Sequence, residues 1–139
     1  MNDGFGHWLA GFIDGEGCFM IRIKKRQKFF TPIFSLRVRA DENEVMESIR
    51  DQTCIGKLYF YPHNGIRGNP CIIWEVARKD DCRKLVTILD KYPLRAKKRR
   101  DFVIWREAVL TEGKGRQKTL AILYETLKAV RTYKAPSRV

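Results

Sequence analysis

The chain is 139 residues long, about one domain of ordinary size and large enough to bury a core without disulfide staples. Hydrophobic residues make up 44% and charged residues 32%, which excludes a disordered chain, and no apolar run approaches the ~18 residues that span a bilayer. Lys and Arg outnumber Asp and Glu by 28 to 16, a formal net charge of +12, so the expected partner is a polyanion: nucleic acid ahead of an anionic membrane surface.

The chain begins MNDGFGHWLAG, with no basic segment ahead of a longer apolar stretch, so no secretory signal is expected and the reading is intracellular. Residues 5–13 (FGHWLAGFI) predict a compact apolar helix ended by Gly15 and Gly17. Residues 18–27 (CFMIRIKKRQ) predict a strand that begins to alternate near Ile21. Residues 29–40 (FFTPIFSLRVRA) alternate from Phe34. Phe34, Leu36 and Val38 face one way, and Ser35, Arg37 and Arg39 the other. Pro32 marks a strand start or an edge position. Residues 42–53 read as a helix through Val45, Met46 and Ile49, and Gly56 marks the turn after it. Residues 57–61 (KLYFY) alternate again, the stretch HNGIRGNP has the composition of a hairpin loop, and residues 71–78 (CIIWEVAR) are the fourth strand.

Residues 80–92 carry Cys82, Leu85, Val86, Ile88 and Leu89 at helical spacing until Pro93. Residues 100–110 and 119–130 predict two more helices, the second with Leu120, Leu123, Leu127 and Val130 turned to the core, and the tail from 132 is expected to fray. The order α-β-β-α-β-β-α with C-terminal helices from about residue 100 predicts an α+β fold. It is a four-stranded antiparallel sheet with helices on one face, a single domain over 1–139. The cysteines, Cys18, Cys54, Cys71 and Cys82, show no CxxC spacing, and His7 and His63 are the only histidines. They read as small core residues in a reducing compartment rather than zinc ligands.

The strands share one feature. Their outward positions are Arg22, Lys24 and Arg26, then Arg37 and Arg39, then Lys57, Tyr59 and Tyr61. A sheet covered by helices on one side leaves this basic, tyrosine-bearing face open, and such a surface suits a DNA major groove. Arg67 in the loop and Lys97 in the basic run RAKKRR add phosphate contacts.

The sharpest signal is LAGFIDGEG, residues 9–17. Gly11 and Gly15 are four apart and share a helix face, where small residues let a second backbone approach closely. Glycine inside a helix costs about 1 kcal/mol against alanine, which a close helix contact would offset. Asp14 and Glu16 sit at the helix end that already carries partial negative charge and unpaired carbonyls. Carboxylate and carbonyl oxygens together suit a hard divalent cation such as Mg²⁺. A capped core helix with two solvated acids fits the same pattern.

LAGFIDGEG resembles the defining motif of the LAGLIDADG homing endonucleases: Leu9, Ala10, Gly11, Ile13, Asp14 and Gly17 match it, while Phe12, Gly15 and Glu16 depart mildly. CFMIRIKK after it, the Ile55-Gly56-Lys57-Leu58 turn, and the stretch from Tyr92 and Pro93 to Lys98, Asp101 and Phe102 resemble further family segments, over roughly residues 5–110. The resemblance implies an αββαββα fold and a site-specific double-strand DNA endonuclease of the intron-homing, mobile-element kind, dependent on Mg²⁺ or Mn²⁺.

It implies that Glu16 binds the metal with the Gly15 carbonyl, and that Lys98 stands near the scissile phosphate, with Lys97 its rival by one register step. It implies a homodimer paired through Trp8, Ala10, Gly11, Asp14 and Gly15, on a palindromic or near-palindromic target. Asp14 is expected to be structural, at the helix end or interface. The same fold also serves as a non-cleaving binder, an intron-RNA maturase or a DNA-binding regulator. A generic basic RNA-binding protein is a third reading. The compartment is a bacterial or phage-infected cytoplasm, or an organelle.

Overall fold

The computed structural model describes residues 1–62 and 68–132. Helix α1 (Asp3–Glu16) leads into strand β1 (Gly17–Lys24) and strand β2 (Phe29–Arg39). A short 3-10 turn (Ala40–Glu42) opens helix α2 (Asn43–Thr53), followed by strands β3 (Lys57–Tyr61) and β4 (Cys71–Val76). Helices α3 (Lys79–Lys91), α4 (Lys98–Leu110) and α5 (Arg116–Val130) complete the chain. The sheet is four-stranded and antiparallel, in the order β1-β2-β4-β3. The predicted α+β architecture and element order are therefore observed.

The sheet's two faces follow from alternation and register. Phe19 opposes Phe34, Leu36 opposes Trp74, and Val38 opposes Ile72, all buried under the helices. The main core joins these to Leu9 and Ile13 of α1, Met46 and Ile49 of α2, Leu85 and Leu89 of α3, and Phe102 and Trp105 of α4. A second cluster sits over the outer end of β1, where Ile21 and Ala108 meet Leu120, Leu123 and Leu127 of α5. Val130 is half-buried against it, as its spacing predicts. Gln117 ties α5 to the sheet, its amide accepting from Phe30 N at 2.7 Å and donating to Phe30 O at 3.0 Å.

Both buried indoles find backbone partners. Trp74 Nε1 donates to Ile55 O at 3.0 Å and Trp105 Nε1 to Ile33 O at 3.1 Å, which satisfies the one polar atom each ring carries into the core. The turn between α2 and β3 is built around Gly56 at φ +80°, where a Cβ would collide with Trp74.

Some local expectations are corrected. Helix α1 runs on through Gly15 and stops only at Gly17, so Gly15 lies inside its last turn. Strand β1 ends at Lys24, which leaves Arg26 in the turn to β2 rather than on the sheet face. Pro32, by contrast, lies inside β2 opposite Ile21 at a stretch not paired with β4, the edge position its sequence signal allows, where its missing N–H breaks no ladder on that side. Cys71 and Cys82 are buried and Cys18 is half-buried, but Cys54 is exposed. Cys54 closes α2 in the left-handed region at φ +59°, a capping position and not a core one. Burial pushes the Cys82 thiol up to about 12, which keeps it neutral. At the start of α1, Tyr92 Oη donates to Asp3 at 2.6 Å. That hydrogen bond, aided by Lys91, holds the Asp3 carboxyl below its usual range.

Candidate active site and nucleic-acid interface

Helix α1 divides cleanly into two sides. Gly6, Leu9, Ala10 and Ile13 are buried against the chain's own core. Gly4, Trp8, Gly11 and Gly15, with half-buried Phe12, line the outward side. Trp8 is 45% exposed and stacks between Phe5 and Phe12 at ring separations of 5.6 and 5.2 Å. A Cβ at Gly11 or Gly15 would meet nothing within 4 Å. An apolar stripe with one open glycine at its middle and another at its C-terminal end is a surface that a second backbone can approach.

Two residues expected on this stripe are not there. Ala10 is 4% exposed and belongs to the core, one position round the helix from Gly11. Asp14 turns to its own chain, where its carboxylate accepts from Arg95 N at 2.8 Å and Ala96 N at 3.2 Å. Trp8, Gly11 and Gly15 remain on the open side.

The Asp14 contact positions the next part of the site. By gripping the backbone just ahead of α4 it holds the basic run against the end of α1. From there Lys98 Nζ donates to Gly17 O at 2.5 Å. No basic residue of α1 lies in its own last turn, so Lys98 supplies the cation that a helix C-terminus favours. Lys98 is half-buried, whereas Lys97 is exposed at the N-cap of α4, with no side-chain capping bond. Of the two neighbouring lysines, the fold thus brings Lys98 to the corner that follows Glu16. Glu16 itself is exposed at the last helical position, beside exposed Gly15.

The corner's donors are carboxylate and main-chain oxygens, the set that hard divalent cations prefer. Among the described residues no group of three His, Cys, Asp or Glu side chains is placed to hold a metal ion.

The open face of the sheet begins at Cys18, two residues after Glu16. Register places Lys24 beside Phe29, Arg22 beside Thr31, and Ser35, Glu75 and Lys57 in one row across β2, β4 and β3. Arg37, Ile73 and Tyr59 form the next row, and Arg39, Cys71 and Tyr61 the last. Arg22, Lys24, Arg37, Arg39, Lys57, Tyr59 and Tyr61 are all exposed on this face. Arg26 stands just beyond it in the turn, and Arg67 lies outside the described residues.

Sequence reading missed Glu75, the one carboxylate among the described residues of these strands. Its signal was a charged residue inside the otherwise apolar run CIIWEV. It also missed Arg131, whose guanidinium donates to Phe19 O and Cys18 Sγ, both at 3.3 Å, bringing another cation to the start of the face.

Comparison with known proteins places this geometry. Residues 9–109 match the family described as LAGLIDADG endonuclease, and the chain belongs to that family. The fold is also that of an archaeal intron-encoded homing endonuclease, I-Vdi141I, solved in complex with DNA. The TM-score is 0.77 at 26% identity, over 97% of this chain and 90% of that one. The LAGLIDADG meganuclease I-AabMI, bound to uncleaved DNA, is 28% identical with a TM-score of 0.68, over 94% of this chain and 42% of that one. Among curated relatives, a probable intron-encoded endonuclease, Cox1-I1b, of Schizosaccharomyces pombe is 29% identical over 76% of this chain. The mitochondrial protein RF1 of Saccharomyces cerevisiae is 30% identical over 81% of it. The chain spans only about a quarter of the length of these curated relatives, 27% and 23% respectively.

Proposed function

We propose that the chain is a site-specific, divalent-metal-dependent double-strand DNA endonuclease acting as a homodimer. The observation that carries this reading is the corner where exposed Glu16, ending α1, adjoins the Gly17 carbonyl held by Lys98, beside an open glycine stripe and a basic sheet. The sheet carries Arg22, Lys24, Arg37, Arg39 and Lys57 toward phosphates and base edges, with Tyr59 and Tyr61 among them. Arg26 adds a cation just beyond β1, and Lys97 and Arg67 are further proposed DNA contacts.

Glu16, with the Gly15 carbonyl, would hold the cation. When bound, Mg²⁺ or Mn²⁺ supplies Lewis-acid stabilisation of the leaving oxygen and an acidified water. Lys98 offsets the charge that develops on the phosphate as the bond breaks. Asp14 acts indirectly, by holding the backbone that delivers Lys98. Two-fold pairing through Trp8, Gly11 and Gly15 sets two Glu16 side chains near one axis, one for each DNA strand, and makes the target palindromic or nearly so. DNA in the structures of relatives, an intron-encoded origin in the name of one curated relative and a mitochondrial one in the name of another support an intron-homing role in an organelle.

The test is incubation of the purified protein with a randomised palindromic duplex library, with Mg²⁺ and with EDTA. The reading expects Mg²⁺-dependent cutting on both strands at one enriched sequence. Enrichment of bound duplexes without cutting would replace it with a non-cleaving binder of DNA.

A further inference from the structure

We infer that Arg22 and Glu75 together read one C·G base pair in each half of the DNA target. The inference rests on the DNA-binding reading above and names a specificity element within it. Glu75 sits among cations on the face that meets DNA, with Lys57 beside it in register and Arg22 diagonally across β2. A carboxylate there repels phosphate and weakens sequence-independent binding, so its presence calls for a compensating contact.

Pairing with Arg22 does not provide one. Nη1 of Arg22 and Oε1 of Glu75 are 3.9 Å apart, too far for a hydrogen bond, and an open ion pair of this kind contributes little to stability. Among the described residues neither side chain makes any hydrogen bond, although the Glu75 side chain is only 22% exposed and so held in place. The pair is thus unspent: an exposed donor fork, 55% accessible, next to a half-buried acceptor.

That arrangement matches one base pair. The major-groove edge of G·C presents two acceptors, guanine N7 and O6, and then a donor, cytosine N4. Arginine offers paired donors and no acceptor, and an ionised carboxylate only accepts. Guanine O6 and cytosine N4 are themselves hydrogen-bonded and so about 2.9 Å apart, and the 3.9 Å between the two protein groups closes to that spacing by a shift of about 1 Å in the exposed Arg22 side chain. An A·T pair presents acceptor, donor, acceptor, so either the second arginine donor or the carboxylate would face a like group.

The experiment is binding selection from a randomised duplex library in EDTA, with wild type, Glu75→Gln, Glu75→Ala and Arg22→Ala. Wild type should enrich one C·G pair per half-site. Glu75→Ala and Arg22→Ala should each reduce discrimination at that same pair by about 5- to 150-fold and leave other positions unchanged. Glu75→Gln, which preserves shape and therefore folding, should reduce discrimination at that same pair less than Glu75→Ala does, because its amide oxygen still accepts from cytosine N4. The inference is overturned if the two alanine variants affect different positions, or weaken all sequences alike. If wild type itself enriches no sequence, the DNA-recognition reading fails and takes this inference with it.

Discussion

Gly11→Leu makes the monomer and the dimer respond in opposite directions. In the single chain a Cβ at Gly11 meets nothing within 4 Å and the position faces solvent, so a larger side chain can extend outward. It replaces glycine in a helix interior by a good helix former, a gain of about 0.8 kcal/mol. That should raise the unfolding temperature of the monomer by about 3 °C. In a dimer packed backbone to backbone through this stripe, the same leucine has no room. Overpacking costs about 1–3 kcal/mol per site. A two-fold axis counts it twice, so the dimer dissociation constant should rise by a factor between about 30 and over 10,000. Sedimentation equilibrium gives the association, and thermal unfolding at a dilution where both proteins are monomeric gives the stability. Double-strand cutting should fall with dimer population. A Gly11→Leu protein that dimerises like wild type would refute the pairing surface, and one that unfolds earlier as a monomer would refute the geometry of α1.

Other substitutions separate the roles argued for each side chain. Lys98→Met should lower the cleavage rate by about 100-fold or more while DNA affinity changes little, whereas Lys97→Met should weaken binding without a comparable loss in rate; single-turnover kinetics distinguish the two. Asp14→Ala leaves two backbone N–H groups without their charged acceptor and should destabilise the chain by about 1–3 kcal/mol, read by denaturant unfolding. Native iodoacetamide labelling should modify Cys54 and spare Cys71 and Cys82 until the protein unfolds, as peptide mass spectrometry would report. The unfolded Cys82 thiol ionises near 9.0 and the folded one near 12. Its contribution is therefore present below pH 9 and lost as pH rises toward 12, and Cys82→Ala should flatten that alkaline decline in stability.

Much of the fold was legible because alternation is a strong signal where one face is buried. The sequence FSLRVR in β2 assigns its own two faces, and KLYFY in β3 does the same. The cationic face followed from those patterns, and the LAGFIDGEG helix from its apolar run and glycine spacing. What stayed hidden depends on contacts between distant parts of the chain. Ala10 and Gly11 are both small, and only packing decides that Ala10 points inward and Gly11 outward. Asp14 meets its backbone partners 81 and 82 residues away, and Lys98 reaches Gly17 across 81, so neither contact has a local signature. Which of Lys97 and Lys98 reaches Gly17 is a matter of one helical position, fixed by where α4 begins. Glu75 was obscured because β4 is otherwise apolar on both faces, as befits a strand paired on both sides, and nothing in CIIWEV says that its fifth residue faces a basic surface. Cys54 read as core from its composition, yet it occupies a left-handed capping position that few residues other than glycine and asparagine take up.

The most direct test of the account is Glu16→Gln, assayed on the selected duplex with Mg²⁺ and with EDTA. Glutamine keeps the shape of the side chain at an exposed position and removes only its charge. The account predicts that Glu16→Gln folds, dimerises and binds the target like wild type but fails to cut it in Mg²⁺. Cutting by Glu16→Gln at the wild-type rate would contradict the assignment of the corner at the end of α1 as the metal site.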